Sequence, residues 1–308
     1  MDSKERILLF GADGFIGKSI SKELSKFSFY SGLTRNNLDV CEYSKVKQAI
    51  LDFKPTIVIN TTGKVAGIQG NIDSPVSLMR DNSENILSIT KACHELKIEK
   101  MIQFASACVY PLNEINSSMP EDLGTGIIEQ TSKSYATSKI FGIELFNSYR
   151  KQFRYKWSTI IPTNLYGIGD WNTDTNGHVI AMLVRKFISA KQKKSSEVEV
   201  WGDGQSLRNF LNVTDLAEAT SFFILNEMFD NEIINISGEK EVSIEELALI
   251  IKKAIEYKGE LIFDKTKPNG ARRKILNDDL IRSLGWTPKV SLDRGITEYI
   301  KELEILTL

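Results

Sequence analysis

Three short stretches hold side chains that could do proton chemistry together. FASACVYP carries Ser106 and Cys108, YATSK carries Tyr135 and Lys139, and TNGHVI carries His178. Tyr135 and Lys139 stand four apart in a helical stretch, so they share a face. A nearby ammonium lowers a phenol's pKa from its reference of about 10, and the same lysine can hold a nicotinamide ribose. Tyr135 could then protonate a ketone oxygen as hydride reaches the carbon, with Ser106 sharing that oxygen. Cys108 and His178 are not needed for that step. A thiolate could instead take a proton from carbon beside a carbonyl, and a histidine on the opposite face could return one. Both sets in one chain point to epimerisation followed by reduction of a keto-sugar. Taken alone, His178 reads more plainly as a structural cap, since it opens a helix after a glycine-bearing loop.

Hydride chemistry calls for a dinucleotide site. Gly11-Ala-Asp-Gly14-Phe15-Ile16-Gly17 follows an apolar strand directly and opens a helix. Gly11 permits the tight turn, Gly14 lets backbone amides approach a pyrophosphate, and Gly17 allows close helix–strand packing. The second strand should deliver the residue that reads the adenosine ribose. A carboxylate there suits the 2′-hydroxyl of NAD, an arginine the 2′-phosphate of NADP. The strand ends in Leu33-Thr34-Arg35, with no carboxylate until Asp39. Arg35 therefore points to NADP(H), although Asp13 in the glycine loop would oppose a phosphate if it faced the same way. Asp39, and Asn60 at the end of the third strand, complete the candidates at this end.

The elements that must position these groups follow from periodicity. The first half alternates short apolar runs with helix-period segments, as in a parallel sheet covered on both faces. Strands are expected at 7–10, 29–33, 56–60, 100–105 and 157–161, with helices at 17–26, 44–53, 76–96 and 134–152. After Pro162 the alternation breaks down. A helix is expected from Val179 to Lys191, a capping box at Ser243 and Glu246 opens another, and a loop with Pro268, Asn269 and Gly270 precedes short helices. The expected fold class is α/β, a Rossmann-type doubly wound parallel sheet with a smaller C-terminal substrate-binding lobe. Residues 1–162 would form the dinucleotide domain, with segments of about 197–235 returning to it, and 163–308 mainly the lobe.

Bulk properties exclude several classes. The 308 residues are 42% hydrophobic and 26% charged, which is ordinary for a soluble globular protein. Lys+Arg of 39 against Asp+Glu of 40 leaves no basic excess for nucleic acid or anionic membrane, so any anionic ligand must meet a local cluster. No stretch approaches about 18 uninterrupted apolar residues, and the start does not read as a signal peptide. Three scattered cysteines, Cys41, Cys93 and Cys108, argue against disulfides or a metal site and fit a reducing cytoplasm. Cys41 and Cys93 read as small buried hydrophobes, and His94 as a partly exposed helix residue.

GADGFIG, NTTGKVAGIQ, SACVYP, YATSKIFGIEL, PTNLYG, GHVIAMLVRKF, VWGDGQSLRNFLNVTDLA and FDKTKPNGARRK run nearly end to end. Together they resemble the GDP-L-fucose synthases, GDP-4-keto-6-deoxymannose epimerase/reductases of the extended short-chain dehydrogenase/reductase family. The resemblance implies Ser106, Tyr135 and Lys139 for reduction, and Cys108 and His178 as base and acid in epimerisation. It places Pro162, Asn164, Leu165 and His178 near the nicotinamide, and Lys186, Trp201, Arg208 and Lys274 around the GDP diphosphate and sugar. Lys186 stands where bacterial members commonly carry arginine, and Asp13 where a basic residue is often found. A homodimer is also implied, built from the helices at 76–96 and 134–152. They carry Ile86, Leu87, Ile89, Ile140, Phe141, Ile143, Leu145 and Phe146, more apolar positions than one buried stripe needs.

Other readings stay open from sequence. A reductase could keep the Cys/His pair without using it, acting on a GDP-keto-heptose or a dideoxy sugar already epimerised. A UDP-sugar 4-epimerase shares the Tyr/Lys pair but recycles bound NAD and has no use for Cys108 and His178. A non-catalytic NADP-sensing regulator could use the same fold.

Overall fold

A computed structural model describes residues 5–112, 116–170, 177–267 and 269–306. Pro268 and part of the turn-rich stretch before His178 lie outside them. The chain begins β1 (Arg6–Phe10), α1 (Phe15–Leu24), β2 (Phe29–Leu33), α2 (Tyr43–Phe53) and β3 (Ile57–Asn60). A short α3 (Ile68–Asp73) precedes the long α4 (Pro75–Glu95), followed by β4 (Lys100–Phe104), α5 (Lys133–Phe153) and β5 (Lys156–Pro162). These strands and a later one, β9, form a parallel sheet in the order β2-β1-β3-β4-β5-β9. Strand order reverses at β1, which puts the crevice for a ligand at the carboxyl ends of β1 and β3.

The inner strands β1, β3, β4 and β5 are buried along nearly their whole length because both faces are covered. In β1, Ile7 and Leu9 join the core beneath α1 and a later helix, whereas Leu8 and Phe10 join the core beneath α2, α4 and α5. Most predicted boundaries hold to within a residue or two. The first helix begins at Phe15 rather than at Gly17, and α3 has no counterpart in the sequence reading.

The second half runs β6 (Asn164–Tyr166), α6 (Val179–Lys193), β7 (Glu197–Trp201), β8 (Leu207–Asn212), α7 (Val213–Leu225) and β9 (Ile233–Ile236). It continues with β10 (Glu241–Ser243), α8 (Ile244–Ile255), β11 (Glu260–Asp264), β12 (Arg273–Lys274), α9 (Asp279–Ser283) and α10 (Leu292–Leu306). Helix α7 packs on α1 and β9 extends the large sheet, while β7 pairs with β11 and β8 pairs with β6, β10 and β12. Helices α6, α8 and α10 enclose the core of the lobe through Val184, Phe187, Leu247, Ile251 and Tyr299. The capping box is formed: Ser243 Oγ accepts from Glu246 N at 3.0 Å, and Ser243 N donates to the Glu246 carboxylate at 2.7 Å. The last helix is longer than the short helices expected. Leu292, Ile296, Tyr299, Ile300 and Leu303 give it a continuous apolar stripe against the lobe core.

Candidate active site

The glycine loop is built so that backbone, not side chain, faces the crevice. Gly11 has φ of +86°, and a Cβ at Gly17 would lie 1.8 Å from the Gly11 carbonyl oxygen. Only glycine fits at either position. Gly14 is exposed and N-caps α1 without a side-chain cap, so the first amides of the helix have no side-chain acceptor. That uncapped positive end fits a pyrophosphate. Phe15 and Ile16 open the helix half-buried, Ile16 against the sheet core. Asn60 shapes the exit of β3, its Oδ1 accepting from Thr62 N at 2.9 Å. The Asp13 carboxylate accepts from the Arg35 backbone amide at 3.3 Å, and the Arg35 residue is exposed at the rim. Asp39 is also exposed and accepts from Cys41 N at 3.0 Å.

Beyond β4 the chain turns sharply through Ala107–Val109, which places Cys108 under Ser106. Ser106 stands close enough to Tyr135 and Cys108 to act on the protonation of both, so these three groups form one cluster. Lys139 lies 5.8 Å from the centroid of the Tyr135 ring and donates to the Phe104 carbonyl at 3.2 Å. Gly63 keeps that space open, since a Cβ there would come within 3.2 Å of Lys139 Nζ. Burial holds Lys139 down to about 8. Burial, with the charge of Cys108 second, pushes the Tyr135 phenol well above its ordinary value while Ser106 works the other way. The anticipated lowering of the phenol by Lys139 is therefore absent. A proton held firmly on Tyr135 suits a donor to a forming alkoxide.

Burial likewise raises the Cys108 thiol. Lys274, Ser106 and Lys139 pull it down and Glu129 pushes it further up. Of the other cysteines, Cys93 is buried as expected, but Cys41 is exposed, its thiol 2.9 Å from Asn85 Oδ1. His94 is half-buried against Tyr149, Phe153 and Tyr155.

His178 N-caps α6, and its ring Nδ1 lies 3.2 Å from the buried carboxylate of Asp170. Burial works against the charged ring, but the hydrogen bond and charge of Asp170 outweigh it, so the His178 pKa is raised. Tyr299 from α10 donates to the Asp170 carbonyl at 2.7 Å and fixes the pair to the lobe. Asp170 carried no signal in the sequence beyond its place in a turn. Pro162 ends β5, buried, and Asn164 at the start of β6 donates to the Asn209 carbonyl at 3.0 Å. Leu165 packs against the sheet core.

Two cationic groups stand on the lobe side. In the first, Lys186 and Lys267 both lie 5.6 Å from the ring centroid of the half-exposed Trp201, and Lys186 donates to the Glu199 carbonyl at 3.0 Å. In the second, Lys274 is paired with Glu129 at 2.7 Å. Arg208 belongs with them: its charge acts on Glu129, and a Cβ at Gly270 would lie 3.3 Å from Arg208 Nη2 and 3.9 Å from Glu129 Oε1. A cavity of about 350 Å³ opens here, lined by Glu129, Asp203, Ser206, Gly270 and Arg272 among others. Lys274 is thus tied to this cavity through Glu129, and its charge acts on Cys108. Neither Glu129 nor Lys267 was singled out from the sequence. Among the described residues no cluster of side chains could hold a metal, and no helix is long and apolar enough to cross a membrane.

Residues 7–237 match the NAD dependent epimerase/dehydratase family. GDP-L-fucose synthase 1 of Arabidopsis thaliana is 35% identical over 96% of this chain and 92% of its own. GDP-L-colitose synthase of Yersinia pseudotuberculosis is 34% identical over 95% of this chain and 96% of its own. Among solved structures, a GDP-mannoheptose C4 reductase from Campylobacter jejuni with NADP bound superposes with a TM-score of 0.86 at 25% identity, covering 99% of this chain and 100% of that one. With a Gly-rich loop at the head of β1, a Ser-Tyr-Lys cluster at the sheet edge and these relatives along its whole length, the chain belongs to the NAD dependent epimerase/dehydratase family, among the GDP-L-fucose synthases and their kin.

Proposed function

We propose that the protein is an NADP(H)-dependent epimerase/reductase of a GDP-linked 4-keto-6-deoxy sugar, forming GDP-L-fucose or a close relative. The observation that carries this reading is the gathering of Ser106, Tyr135 and Cys108 in one cluster at the end of β4, with Lys139 5.8 Å from the Tyr135 ring and the charge of Lys274 acting on the thiol. The uncapped start of α1 and its glycines would hold the pyrophosphate, Arg35 the 2′-phosphate, and Lys139 the nicotinamide ribose. The bound nicotinamide would supply the hydride.

The chain's own residues divide the proton work. Cys108 takes a proton from carbon next to the keto group, and His178, whose charged form Asp170 favours, returns one on the other face. Tyr135 then gives its proton to the oxygen at C4, with Ser106 steadying the same oxygen. Lys186, Trp201, Arg208 and Lys274 orient the nucleotide, which fixes the sugar against these groups. The three thiols are unpaired, consistent with a reducing, cytoplasmic setting, and the working unit is a homodimer through α4 and α5.

A second reading rests on Cys108. Its thiol is held up by burial, and its charged neighbours are Lys274, Lys139 and Glu129 rather than His178. A reductase that leaves the pair idle and acts on a GDP-keto-heptose or dideoxy sugar accords with that. Incubation with GDP-4-keto-6-deoxymannose and NADPH in D₂O separates the two. Deuterium at C3 and C5 of the reduced product supports the epimerase/reductase; a reduced product without it supports the reductase alone. No reduction of any GDP-keto-sugar would sink both and revive a non-catalytic NADP-sensing role.

A further inference from the structure

Glu129 carries a carboxylate that pairs with Lys274 and stands beside Arg208. It comes just ahead of α5, whereas Lys274 is on β12 and Arg208 on the neighbouring β8. Its side chain is 18% exposed and its Oε2 lies 2.7 Å from Lys274 Nζ. Its Oε1 and the Arg208 guanidinium flank the same face of Gly270, at the wall of the 350 Å³ cavity. Burial raises the Glu129 pKa, but Lys274, Arg208 and, least, Thr131 outweigh it and hold the carboxylate below its ordinary range. Charge balance gives this position its meaning. Two part-buried cations meant for a diphosphate repel each other unless an anion sits between them.

We infer that Glu129 is a positioning residue of the nucleotide subsite: it holds Lys274 and Arg208 as their counter-ion until a diphosphate displaces it. This rests on the GDP-sugar reading given above. One consequence has the opposite sign from that of a residue that merely props up the loop. Removing the negative charge should strengthen diphosphate binding, because a competitor for the cations is gone.

The test uses the full chain saturated with NADP, and GDP-mannose as probe, since its diphosphate has no proton to titrate near neutral pH. Glu129→Gln should lower the GDP-mannose dissociation constant by about fivefold or more, a coupling of ordinary size. Binding that is weaker or equal in Glu129→Gln overturns the inference while leaving the GDP-sugar reading intact. A wild type that ignores GDP-mannose removes that reading and this one with it. If Glu129→Gln does not fold, calorimetry on the wild type decides. A carboxylate that loses Lys274 to the diphosphate gains a proton, so binding at about pH 5 should take up protons. Binding with no proton uptake there overturns the assignment.

Discussion

At the residue scale the site is a division of labour between groups whose environments push them apart. On the proposed reading Tyr135, whose phenol burial pushes well above its ordinary value, serves as a donor to oxygen and not as a base. Tyr135→Phe should cost about 10²–10⁴-fold in ketone reduction, the usual worth of a positioned acid. Solvent exchange at the carbons beside the ketone should survive, and a Phe variant reducing at the wild-type rate would remove Tyr135 from the mechanism. On the same reading His178, its charged form favoured by Asp170, is the complementary acid. Because Asp170 raises the His178 pKa, the pair's contribution to stability is complete below the ordinary histidine pKa of about 6.5 and is lost as pH rises through the folded value. Asp170→Asn should therefore move the alkaline limb of epimerisation to lower pH, read from deuterium incorporation across a pH series. Reduction of an already epimerised substrate should keep its profile. Arg35→Ala should lower the NADPH-over-NADH preference by roughly ten- to a hundredfold, since a charge-assisted contact is worth about 1.5–3 kcal/mol. An unchanged ratio would leave Arg35 a surface charge.

At the scale of elements, the parts read most fully from sequence are those set by local pattern. The five strands of the first half and their helices follow from buried runs alternating with helical stripes, and the cap at Ser243 from two residues three apart. Tyr135 and Lys139 were legible because both stand on one helix. The residues that went unread owe their positions to distant chain. Glu129 meets Lys274 across 145 positions, Tyr299 meets the Asp170 carbonyl across 129, and no spacing rule spans such gaps. Helix α3 was hidden because NTTGKVAGIQGNID has turn-forming glycines and polar residues where a helical stripe would show. The loop between β1 and α1 is where element and chemistry meet, and it gives a sharp expectation. Gly17→Ala places a methyl group 1.8 Å from the Gly11 carbonyl oxygen, a clash with backbone that no rotamer relieves. The cost should exceed the roughly 1–3 kcal/mol of ordinary overpacking. Thermal unfolding should show a clear loss of stability, with NADP protecting the variant less than the wild type. A variant as stable as wild type and equally protected would mean that α1 can slide away from β1.

For the whole molecule, the question is what covers α4 and α5. These helices lie side by side on one face of the sheet, and most of the apolar positions named for a partner are used within the chain. Ile86, Ile89, Ile143 and Phe146 are buried under them. The remainder is narrower than the sequence promised but better placed. Val76 is 73% exposed, Met79 44% and Leu87 47%, and at this spacing they form one stripe along the outer side of α4, with Phe141 exposed on α5. In a two-fold dimer each stripe would meet the other copy's helices, closing a four-helix bundle with an isologous interface. The active site lies at the carboxyl edge of the sheet and its cluster is assembled within one chain, so pairing would stabilise α5 without supplying a reacting group. Sedimentation at micromolar concentration should find a dimer. Leu87→Asp combined with Phe141→Asp should shift it to monomer, because charges facing charges across an apolar seam are desolvated without partners. The monomer should keep NADP binding and lose thermal stability that depends on protein concentration in the wild type. A wild type that sediments as a monomer, or a double variant that remains a dimer, would place the contact elsewhere on the surface.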